Sequence, residues 1–511
     1  MILLSFVLAF CSFSYEILLA FVVAKITGQD IISQTICIGS FIVGLGLGSF
    51  WIERNPQSNK LGFLLKVEVL LSLVGGLGLF FVFGWDALLK SLMGTPPFLL
   101  FFIPVQIYIL LIGFLSGLEL PSLLDEKKNE NKVLGWHYFG TLMSAVLIFA
   151  WFIPKIDVFY TALLIALLNV GVALGLYLRS SGSKKSLAGV GIVSVTLVAL
   201  IAVSDSFYKQ YLKVFYFQPQ IESFDELENS MKVLKARPEV RRYRSTYQYI
   251  DFIDENKDGK TSLLMFLDHR YQFSSSHEAV YHEHMVHVPA SLSDSQMKNV
   301  LVLGGGDGLI ARELLKYEQI EKVTLVELDQ EILNFATTDV RLTSLNKDSL
   351  KNPRVEIIVG DAISFIRSNN KIYDAIFLDF PYPNNYDLSK LYSLEFYKAI
   401  RKRMTESAFL ILDYPVDKLA VTSSHRNEVI LSTLEYAGFT NNIIFGEEDT
   451  FVMSALQDKA FVTDKNFEFL SERSRKELLF REDIVRNTNL SSKKINSIFK
   501  PQKLQLRWAS W

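Results

Sequence analysis

The sequence is poor in cysteine and in unbalanced charge, and basic residues are scarce in its first two fifths. Its two cysteines, Cys11 and Cys37, lie inside apolar segments, which excludes a disulfide framework and a cysteine metal site. With 52 Lys and Arg against 54 Asp and Glu, no net charge favours nucleic acid, so we expect no nucleic-acid partner. Because 12 of those 52 basic residues precede residue 205, the chain divides into a membrane-like first part and a soluble-like remainder.

The first part consists of long hydrophobic segments. Most can cross ~30 Å of hydrocarbon as helices, so we expect a transmembrane domain of about seven helices over residues 1–204. Gly44, Gly46 and Gly48 predict close helix–helix approach. Residues 205–239 mix aromatics with lysines and are predicted to form an interfacial linker in contact with the lipid bilayer. The predicted spans are residues 2–24, 31–52, 61–84, 97–120, 134–153, 157–178 and 187–204.

Three acids interrupt these apolar segments. An acid in lipid is costly and usually faces a partner or a cavity. Glu68 lies two residues from Lys66 near the start of a span, so we expect it at the surface. For Glu16 and Glu119 the sequence leaves two alternatives open, structural pairing and a ligand or ion path.

The soluble part begins with alternating residues and continues with alternating strands and helices. Residues 240–297 predict a small N-terminal β-hairpin subdomain with Asp258 and Gly259 at its turn. The same stretch mimics a calcium loop, but Met265 stands where that loop needs a glutamate. Residues 298–511 predict a Rossmann-like, doubly wound α/β domain with a C-terminal helical extension.

Acids end four successive predicted strands of this domain. The first strand ends in GGGDG (304–308), a turn that lets the backbone approach a ligand. Glu327 ends the second strand, where an acid can accept both hydroxyls of a ribose, and Asp361 and Asp379 end the next two. Acids that merely cap helices would explain one or two of these, whereas four converging acids indicate a nucleoside site. Because Asp307 within the turn would repel a phosphate, S-adenosylmethionine or its decarboxylated form fits better than a dinucleotide.

Several motifs together resemble the spermidine synthase family, and more narrowly its bacterial branch with an N-terminal multi-span region. That family transfers an aminopropyl group from decarboxylated S-adenosylmethionine to an amine and releases methylthioadenosine. The resemblance implies a fold of the S-adenosylmethionine-dependent transferase type, the nucleoside as co-substrate, and no tightly bound cofactor or metal. The motifs are STYQ (245–248), LDHRYQ (267–272), YHE (281–283), GGGDG, VELD (326–329), GDA (360–362), DFPYP (379–383), PNNYDLSKLYSLEFY (383–397) and FGEEDTFVMSA (445–455).

The resemblance also assigns roles to individual residues. Asp379 would be the carboxylate beside the attacking amine, with Tyr281 assisting it, and a neutral amine requires such a base. Glu327 would hold the ribose, Asp361 the adenine, and Asp307 the amino end of the donor. The other implied donor-site residues are Gln248, Leu267, Gln272, His282, Gly304, Gly306 and Ala362, and the substrate-pocket residues are Phe380 and Tyr382.

One departure leaves the reaction open at this stage. The family motif has a second acid three residues after the first, and here that position is Tyr382, while Asp413 and Asp417 lack an obvious match. A changed or differently held amine acceptor is one explanation. A lyase that cleaves S-adenosylmethionine to methylthioadenosine and a lactone is the alternative, and a non-catalytic membrane nucleoside sensor is a third. A methyltransferase is disfavoured because Asp307 suits an amine and not the donor's carboxylate.

Orientation and assembly are predicted from different arguments. With seven spans, eight basic residues lie in loops on the N-terminal side and three on the other, which would put the soluble domain outside the cell. The donor is a cytosolic metabolite, so we expect a bacterial inner-membrane protein whose catalytic domain is cytoplasmic. Soluble members of the family commonly associate, which predicts a homo-oligomer. The basic residues are Arg54, Lys60, Lys127, Lys128, Lys132, Arg179, Lys184 and Lys185 on one side and Lys25, Lys90 and Lys155 on the other.

Two further segments have competing interpretations. His284 and His287 could share a helix face and bind zinc, but the spacing is not HExxH, and pocket or surface polar residues are the favoured interpretation. Residues 465–484 are charged and helix-like, and we expect a solvated face packed on the sheet domain, with partner binding as the alternative.

Overall fold

In a computed structural model the chain separates into two compact units, Met1–Val240 and Arg241–Ser510. The described residues are 2–28, 30–124, 130–180, 183–218, 224–257, 259–293, 295–381, 383, 386–413, 425–447, 449–456, 467–481 and 494–502.

The first unit is helical. Among its described residues, seven helical segments are long and apolar enough to cross a membrane, which confirms the predicted number. The helices are α1 (Ile2–Thr27), α2 (Asp30–Arg54), α3 (Lys60–Met93), α4 (Phe98–Gly117), α5 (Glu119–Leu123), α6 (Glu130–Leu147), which continues through the π-helical turn Ile148–Phe152 into α7 (Ile153–Lys155), α8 (Val158–Ser180), α9 (Lys184–Phe217) and α10 (Phe224–Ala236).

Two of these helices are longer than their apolar segments. Helices α3 and α9 each have 34 residues, so at about 1.5 Å per residue each exceeds the ~30 Å of a hydrocarbon core. The extension of α3 carries Asp86 and Lys90, whose side chains form a buried ion pair at 2.6 Å. Tyr211 of α9 donates a hydrogen bond to Asp86 at 2.8 Å. Asp86 and Lys90 interrupt the apolar pattern, but they lie one helical turn apart and neutralise each other. The helices therefore continue past this position.

The glycine prediction is right at two positions and wrong at one. A Cβ on Gly44 would lie 2.4 Å from the carbonyl oxygen of Leu110, and one on Gly48 would lie 2.2 Å from that of Phe114. Gly46 has open space around it. Residues four apart share a helix face and residues two apart do not, so only Gly44 and Gly48 face α4.

The surface prediction for Glu68 is wrong. Its side chain is 0 % exposed, whereas Lys66 is exposed. Two residues along a helix differ by about 200° in direction, so Lys66 cannot neutralise Glu68 across the helix.

The second unit begins with a four-stranded antiparallel sheet, and the predicted hairpin forms its centre. Lys257 pairs with Lys260, which confirms the turn at Gly259, and Gly259 has a φ of 77°. Asp258 lies outside the described residues. The strands are β1 (Val240–Arg244), β2 (Tyr249–Lys257), β3 (Lys260–Leu267) and β4 (Arg270–Ser274), followed by helix α11 (Glu278–Leu292).

A seven-stranded sheet forms the centre of the second unit. The strands are β5 (Asn299–Gly304), β6 (Lys322–Glu327), β7 (Val355–Val359), β8 (Tyr373–Asp379), β9 (Met404–Asp413), β10 (Asn441–Phe445) and β11 (Phe451–Ala455), in the order β10-β11-β9-β8-β5-β6-β7. β5 to β9 are parallel, as predicted, and β10 and β11 add an antiparallel edge. The helices are α12 (Leu309–Leu314), α13 (Gln330–Thr338), α14 (Val340–Asn346), α15 (Ala362–Ser368), α16 (Tyr386–Ser389), α17 (Leu394–Arg401), α18 (His425–Ala437) and α19 (Glu472–Lys476).

Both faces of this sheet are buried, which explains why its strands are almost continuously apolar. Ile376 of β8 belongs to one hydrophobic cluster and its neighbour Phe377 to another, because successive side chains point to opposite faces. The first strand, β5, pairs with β6 on one side and β8 on the other. Successive strands are added on one side of β5 up to β7 and on its other side from β8 onwards, so a crevice is expected beyond the carboxyl ends of these strands at β5.

Of the charged segment 465–484, the structure describes residues 467–481. Helix there is limited to Glu472–Lys476, and Phe467 and Leu470 are buried in the sheet's core. The segment packs on the sheet domain as predicted, with much less helix than its charge pattern indicates.

Candidate active site at the carboxyl ends of the parallel strands

The ends of β5 and β8 meet at Gly304 and Asp379, which are paired in register. Gly304 has a φ of 87°, and a Cβ there would lie 2.0 Å from the carbonyl oxygen of Asp379. Glycine is therefore required at this position by both conformation and space.

The next strand end places Glu327 against the glycine turn. A Cβ on Gly306 would lie 2.6 Å from Cγ of Glu327, so the absence of a side chain lets the carboxylate reach the turn. The Glu327 carboxylate accepts a hydrogen bond from the backbone N–H of Asp329 at 2.8 Å. Burial raises the pKa of Glu327 to about 7. Gln248 donates to the Asp329 carboxylate at 2.9 Å, which brings the small sheet to the same strand end.

The predicted catalytic pair is in contact. The Tyr281 hydroxyl donates a hydrogen bond of 2.9 Å to Oδ1 of Asp379. Burial, together with the negative charge of Asp307, raises the pKa of Asp379 to about 6, although His282 and the bond from Tyr281 act in the opposite direction. A carboxyl group in this range is suited to accept a proton near neutral pH.

His282 lies between two of the strand-end acids. His282, Asp307 and Asp379 each offer a ligand atom, and these atoms lie within 4.8 Å of one another. A cation, either a metal ion or an ammonium group, could occupy such a position. Nδ1 of His282 faces Oε2 of Glu278 at 2.9 Å. Although burial disfavours the imidazolium, Glu278 and the nearby acids raise the pKa of His282 above its usual value.

Sequence reasoning missed the residues that hold His282. Glu278 accepts a bidentate pair of hydrogen bonds from Arg312 at 2.8 and 2.9 Å. Arg312 in turn bonds Glu313, whose carboxylate faces His287 at 2.6 Å. The spacing of Glu278 and His282, four residues apart on α11, was the available signal.

Asp361 and Ala362 lie at the end of β7. Asp361 is exposed and accepts a hydrogen bond from Ser364 N–H at 2.7 Å, so it caps α15. Ala362 is buried. One carboxylate oxygen of Asp361 is thus engaged in the cap, and the adenine role remains a prediction.

The remaining predicted residues surround the crevice less directly. Leu267 and Gln272 lie on β3 and β4, and the Gln272 amide donates to nearby backbone carbonyls at 3.3 Å. The Phe380 ring lies 6.0 Å from that of Phe396, packed against the core. Tyr382 and Asp417 lie outside the described residues.

Two further acids are within electrostatic range of Tyr281. Asp413 ends β9 directly beside the end of β8, since Leu412 pairs with Leu378. Besides burial and Asp379, the charges of Asp413 and Asp449 help to raise the pKa of Tyr281. Asp449, in the turn before β11, was not identified from the sequence, because only the antiparallel edge brings it here.

His284 and His287 are both buried and each has its own partner. Nε2 of His284 lies 2.7 Å from the Ser474 carbonyl oxygen, and His287 lies between Tyr317 and Glu313. They serve as pocket polar residues, which was the favoured interpretation.

We predict that Tyr281→Phe moves the acidic limb of the rate profile to higher pH. The Tyr281 bond favours the ionised form of Asp379, so its loss raises the pKa of Asp379 further above about 6. The profile should be recorded from pH 5 to 9 at saturating substrates, with Tyr386→Phe, an exposed tyrosine, as the control. An unchanged limb with a uniformly reduced rate would assign Tyr281 to packing alone.

Comparisons with known proteins agree on one family. A family model described as the spermine/spermidine synthase domain matches residues 278–425. The polyamine aminopropyltransferase of Leptospira interrogans serogroup Icterohaemorrhagiae serovar copenhageni is 33% identical over 414 residues, covering 79% of this chain and 76% of its own. That of Oceanobacillus iheyensis is 32% identical over 415 residues, covering 80% and 75%. A crystal structure of spermidine synthase from Thermotoga maritima aligns with 50% of this chain and 89% of its own, at 21% identity and a TM-score of 0.38.

Proposed function

Because this chain belongs to the spermine/spermidine synthase family of polyamine aminopropyltransferases, we propose that it transfers an aminopropyl group from decarboxylated S-adenosylmethionine to an amine. The observation that carries the proposal is the pairing of Tyr281 with Asp379 at the end of β8, beside Asp307 and His282. That group can receive a cationic donor and a neutral amine at the same place.

The donor site is assigned to the ends of β5 to β7. Glu327 lies at the position where an acid accepts the two ribose hydroxyls, and Gly306 leaves room for the sugar to approach. Asp307 is suited to the amino end of the donor, and Asp361 to the exocyclic amine of adenine through the oxygen that does not cap α15. This group of residues includes no cation that would bind a phosphate group of the ligand.

The transfer itself is a single displacement. The lone pair of the amine attacks the methylene carbon bonded to sulfur, the C–N bond forms, and the C–S bond breaks with its electron pair going to sulfur. Methylthioadenosine leaves, and the excess proton on nitrogen goes to Asp379. Because the sulfonium already activates the carbon, alignment and proton removal are the principal tasks of the protein.

The acceptor is assigned to the side of the crevice formed by Asp413 and Asp449. These acids are within electrostatic range of Tyr281 and can form an ion pair with the distal ammonium group of a diamine, which the neutral Tyr382 cannot. We propose that they replace the second acid of the family motif.

Asp413→Asn should therefore raise the KM for the amine and leave donor binding unchanged. One charge-assisted hydrogen bond contributes about 1.5–3 kcal/mol, which corresponds to roughly 10- to 100-fold. Steady-state kinetics with varied diamine tests this, and Glu406→Gln, an exposed acid on the same strand, is the matched control. A KM change for the donor instead would remove Asp413 from the acceptor side.

The identity of the acceptor is tested by product analysis. The detergent-purified full chain is incubated with decarboxylated S-adenosylmethionine and a panel of monoamines, diamines and triamines, and products are identified by mass spectrometry. The proposal predicts an amine heavier by one aminopropyl group. Absence of every such product, with an intact donor, would reject it.

We further propose that the chain is a multi-pass protein of the bacterial inner membrane with its second unit in the cytoplasm. The cytosolic donor supports this, whereas the distribution of basic loop residues opposes it. A reporter that is active only in the periplasm can be fused after residue 511. Activity of this reporter would place the second unit outside the cytoplasm and reject the proposed orientation. Assembly into a homo-oligomer stays a prediction.

A further inference from the structure

The described part of the first unit contains buried carboxylates that no basic side chain there neutralises. Glu68 of α3 is 0 % exposed and Glu119 of α5 is 1 % exposed. Helices α1, α3 and α5 are in mutual contact, and the Glu68 and Glu119 carboxylates are within electrostatic range of each other. In the described part of these three helices, the buried base is Lys90, which is bonded to Asp86.

Several polar atoms around these acids also lack a partner. Among the described residues, both carboxylate oxygens of Glu68 and one of Glu119 have no hydrogen-bond partner, while the other Glu119 oxygen accepts a bond from Ser12 at 2.9 Å. The Tyr15 hydroxyl is likewise unpaired, although the residue is 1 % exposed. Tyr15 lies three residues from Ser12 on α1 and therefore shares the helix face that bonds Glu119, and it is within electrostatic range of both carboxylates.

Protonation alone does not satisfy this group. A protonated carboxyl would remove the charge, but its O–H would still need an acceptor, and the Tyr15 hydroxyl would remain unpaired. A buried polar group left without a partner destabilises the fold. A bound donor that carries positive charge would satisfy the charge and the hydrogen bonds together.

The small number of candidate metal ligands at Glu68 and Glu119 favours an organic cation over a single metal ion. In the described residues, the group of three His, Cys, Asp or Glu ligand atoms within 4.8 Å of one another is the one at His282, in the other unit. Glu68 and Glu119 are not part of any such group. An alkylammonium group offers three N–H donors to the unpaired oxygens, and its methylene chain suits the apolar bundle.

Aromatic surfaces complete the site. The Tyr15 ring lies against α3 at Gly75, where a Cβ would be 2.4 Å from the ring. Tyr108 is within electrostatic range of Tyr15, and its ring stacks on Phe81 at 4.5 Å. Such faces attract ammonium groups.

We propose that Glu68, Glu119 and Tyr15 form a binding site for an oligoamine cation inside the membrane-spanning bundle. The choice of an oligoamine among organic cations rests on the function proposed above, because that reaction consumes and produces such molecules. The site is separate from the strand-end crevice, so the chain would bind its product class at two places.

The test is equilibrium dialysis of radiolabelled spermidine with the full chain in lipid nanodiscs, in an Asp379→Asn background that weakens binding in the crevice. Glu68→Gln with Glu119→Gln should weaken spermidine binding at least tenfold. Glu16→Gln is the matched control, because Glu16 is likewise a buried acid but lies on α1 within electrostatic range of Cys37 on α2, and it should bind like the parent.

Tyr15→Phe keeps the ring on Gly75 and removes one oxygen that has no hydrogen-bond partner among the residues the structure describes. It should fold like the parent and bind spermidine several-fold more weakly, whereas a purely structural tyrosine would give no change. This variant decides the question if the double glutamate variant fails to fold. Unchanged binding in Tyr15→Phe and in a folded double variant overturns the proposal, as would displacement of spermidine by sodium or calcium at equal concentration.

Aminopropyl transfer is measured in parallel with Asp379 intact. Transfer by the parent, with spermidine binding unaffected by the membrane variants, would reject this site and leave the proposed function standing. Spermidine binding that depends on Glu68, without any transfer by the parent, would support the site and reject the proposed function.

Discussion

Asp379→Asn lowers kcat for aminopropyl transfer by about 10²–10⁴-fold, the usual contribution of a positioned general base. The amide has the same shape and can still accept the hydrogen bond from Tyr281, so the loop is expected to stay in place. What the variant loses is the capacity to take the proton from the attacking amine. The measurement is methylthioadenosine release under saturating donor and amine.

The affinity for the nucleoside separates this effect from misfolding. Asp379→Asn should bind methylthioadenosine within a few-fold of the parent, because Glu327 and the glycine turn are untouched. Glu321→Gln, an exposed acid just before the amino end of β6, should retain full activity. A variant at position 379 that keeps more than half of the parental rate would show that another group, or water, removes the proton.

Glu327→Gln has the second large effect, and it concerns binding. A carboxylate that accepts from two ribose hydroxyls loses about 1.5–3 kcal/mol for each charge-assisted bond, so we expect methylthioadenosine to bind roughly 10²-fold or more weakly. Isothermal titration calorimetry on the full chain in detergent measures this. Glu331→Gln, an exposed acid four residues along, is the matched control.

The pH dependence of binding provides an independent readout. The pKa of Glu327 is raised to about 7 in the free protein, so the carboxyl is largely protonated below that pH. Ribose hydroxyls bind the ionised form, and affinity in the parent should therefore rise as pH increases through about 7 and then level off. The Glu327→Gln variant should lack this rise, and a parent with no rise at all would contradict the assignment.

The strand-end acids could be predicted from the sequence because their geometry follows from topology. Carboxyl ends of parallel strands meet at one edge, so Gly304 and Asp379 had to converge once both strands were recognised. The helix face that packs against a neighbour can be predicted in the same way where small residues recur four positions apart, as at Gly44 and Gly48.

The parts that sequence reasoning missed depend on long-range packing. Glu278 joins the site through hydrogen bonds with Arg312, and Asp449 through its electrostatic interaction with Tyr281, so both depend on residues that are distant in sequence. The burial of Glu68 depends on which face of α3 meets its neighbours, and proximity to Lys66 in sequence was misleading. The length of α3 was underestimated because the charges of Asp86 and Lys90 were not recognised as a pair.

The central claim is that cleavage of the donor is coupled to formation of a new C–N bond. The most direct measurement counts methylthioadenosine and aminopropylated amine in the same reaction of the full chain, with decarboxylated S-adenosylmethionine and a diamine, and repeats it with intact S-adenosylmethionine and no amine. The account predicts one molecule of each product per turnover in the first reaction and no methylthioadenosine above background in the second. Methylthioadenosine formed from intact S-adenosylmethionine without an amine, accompanied by a lactone, would contradict it.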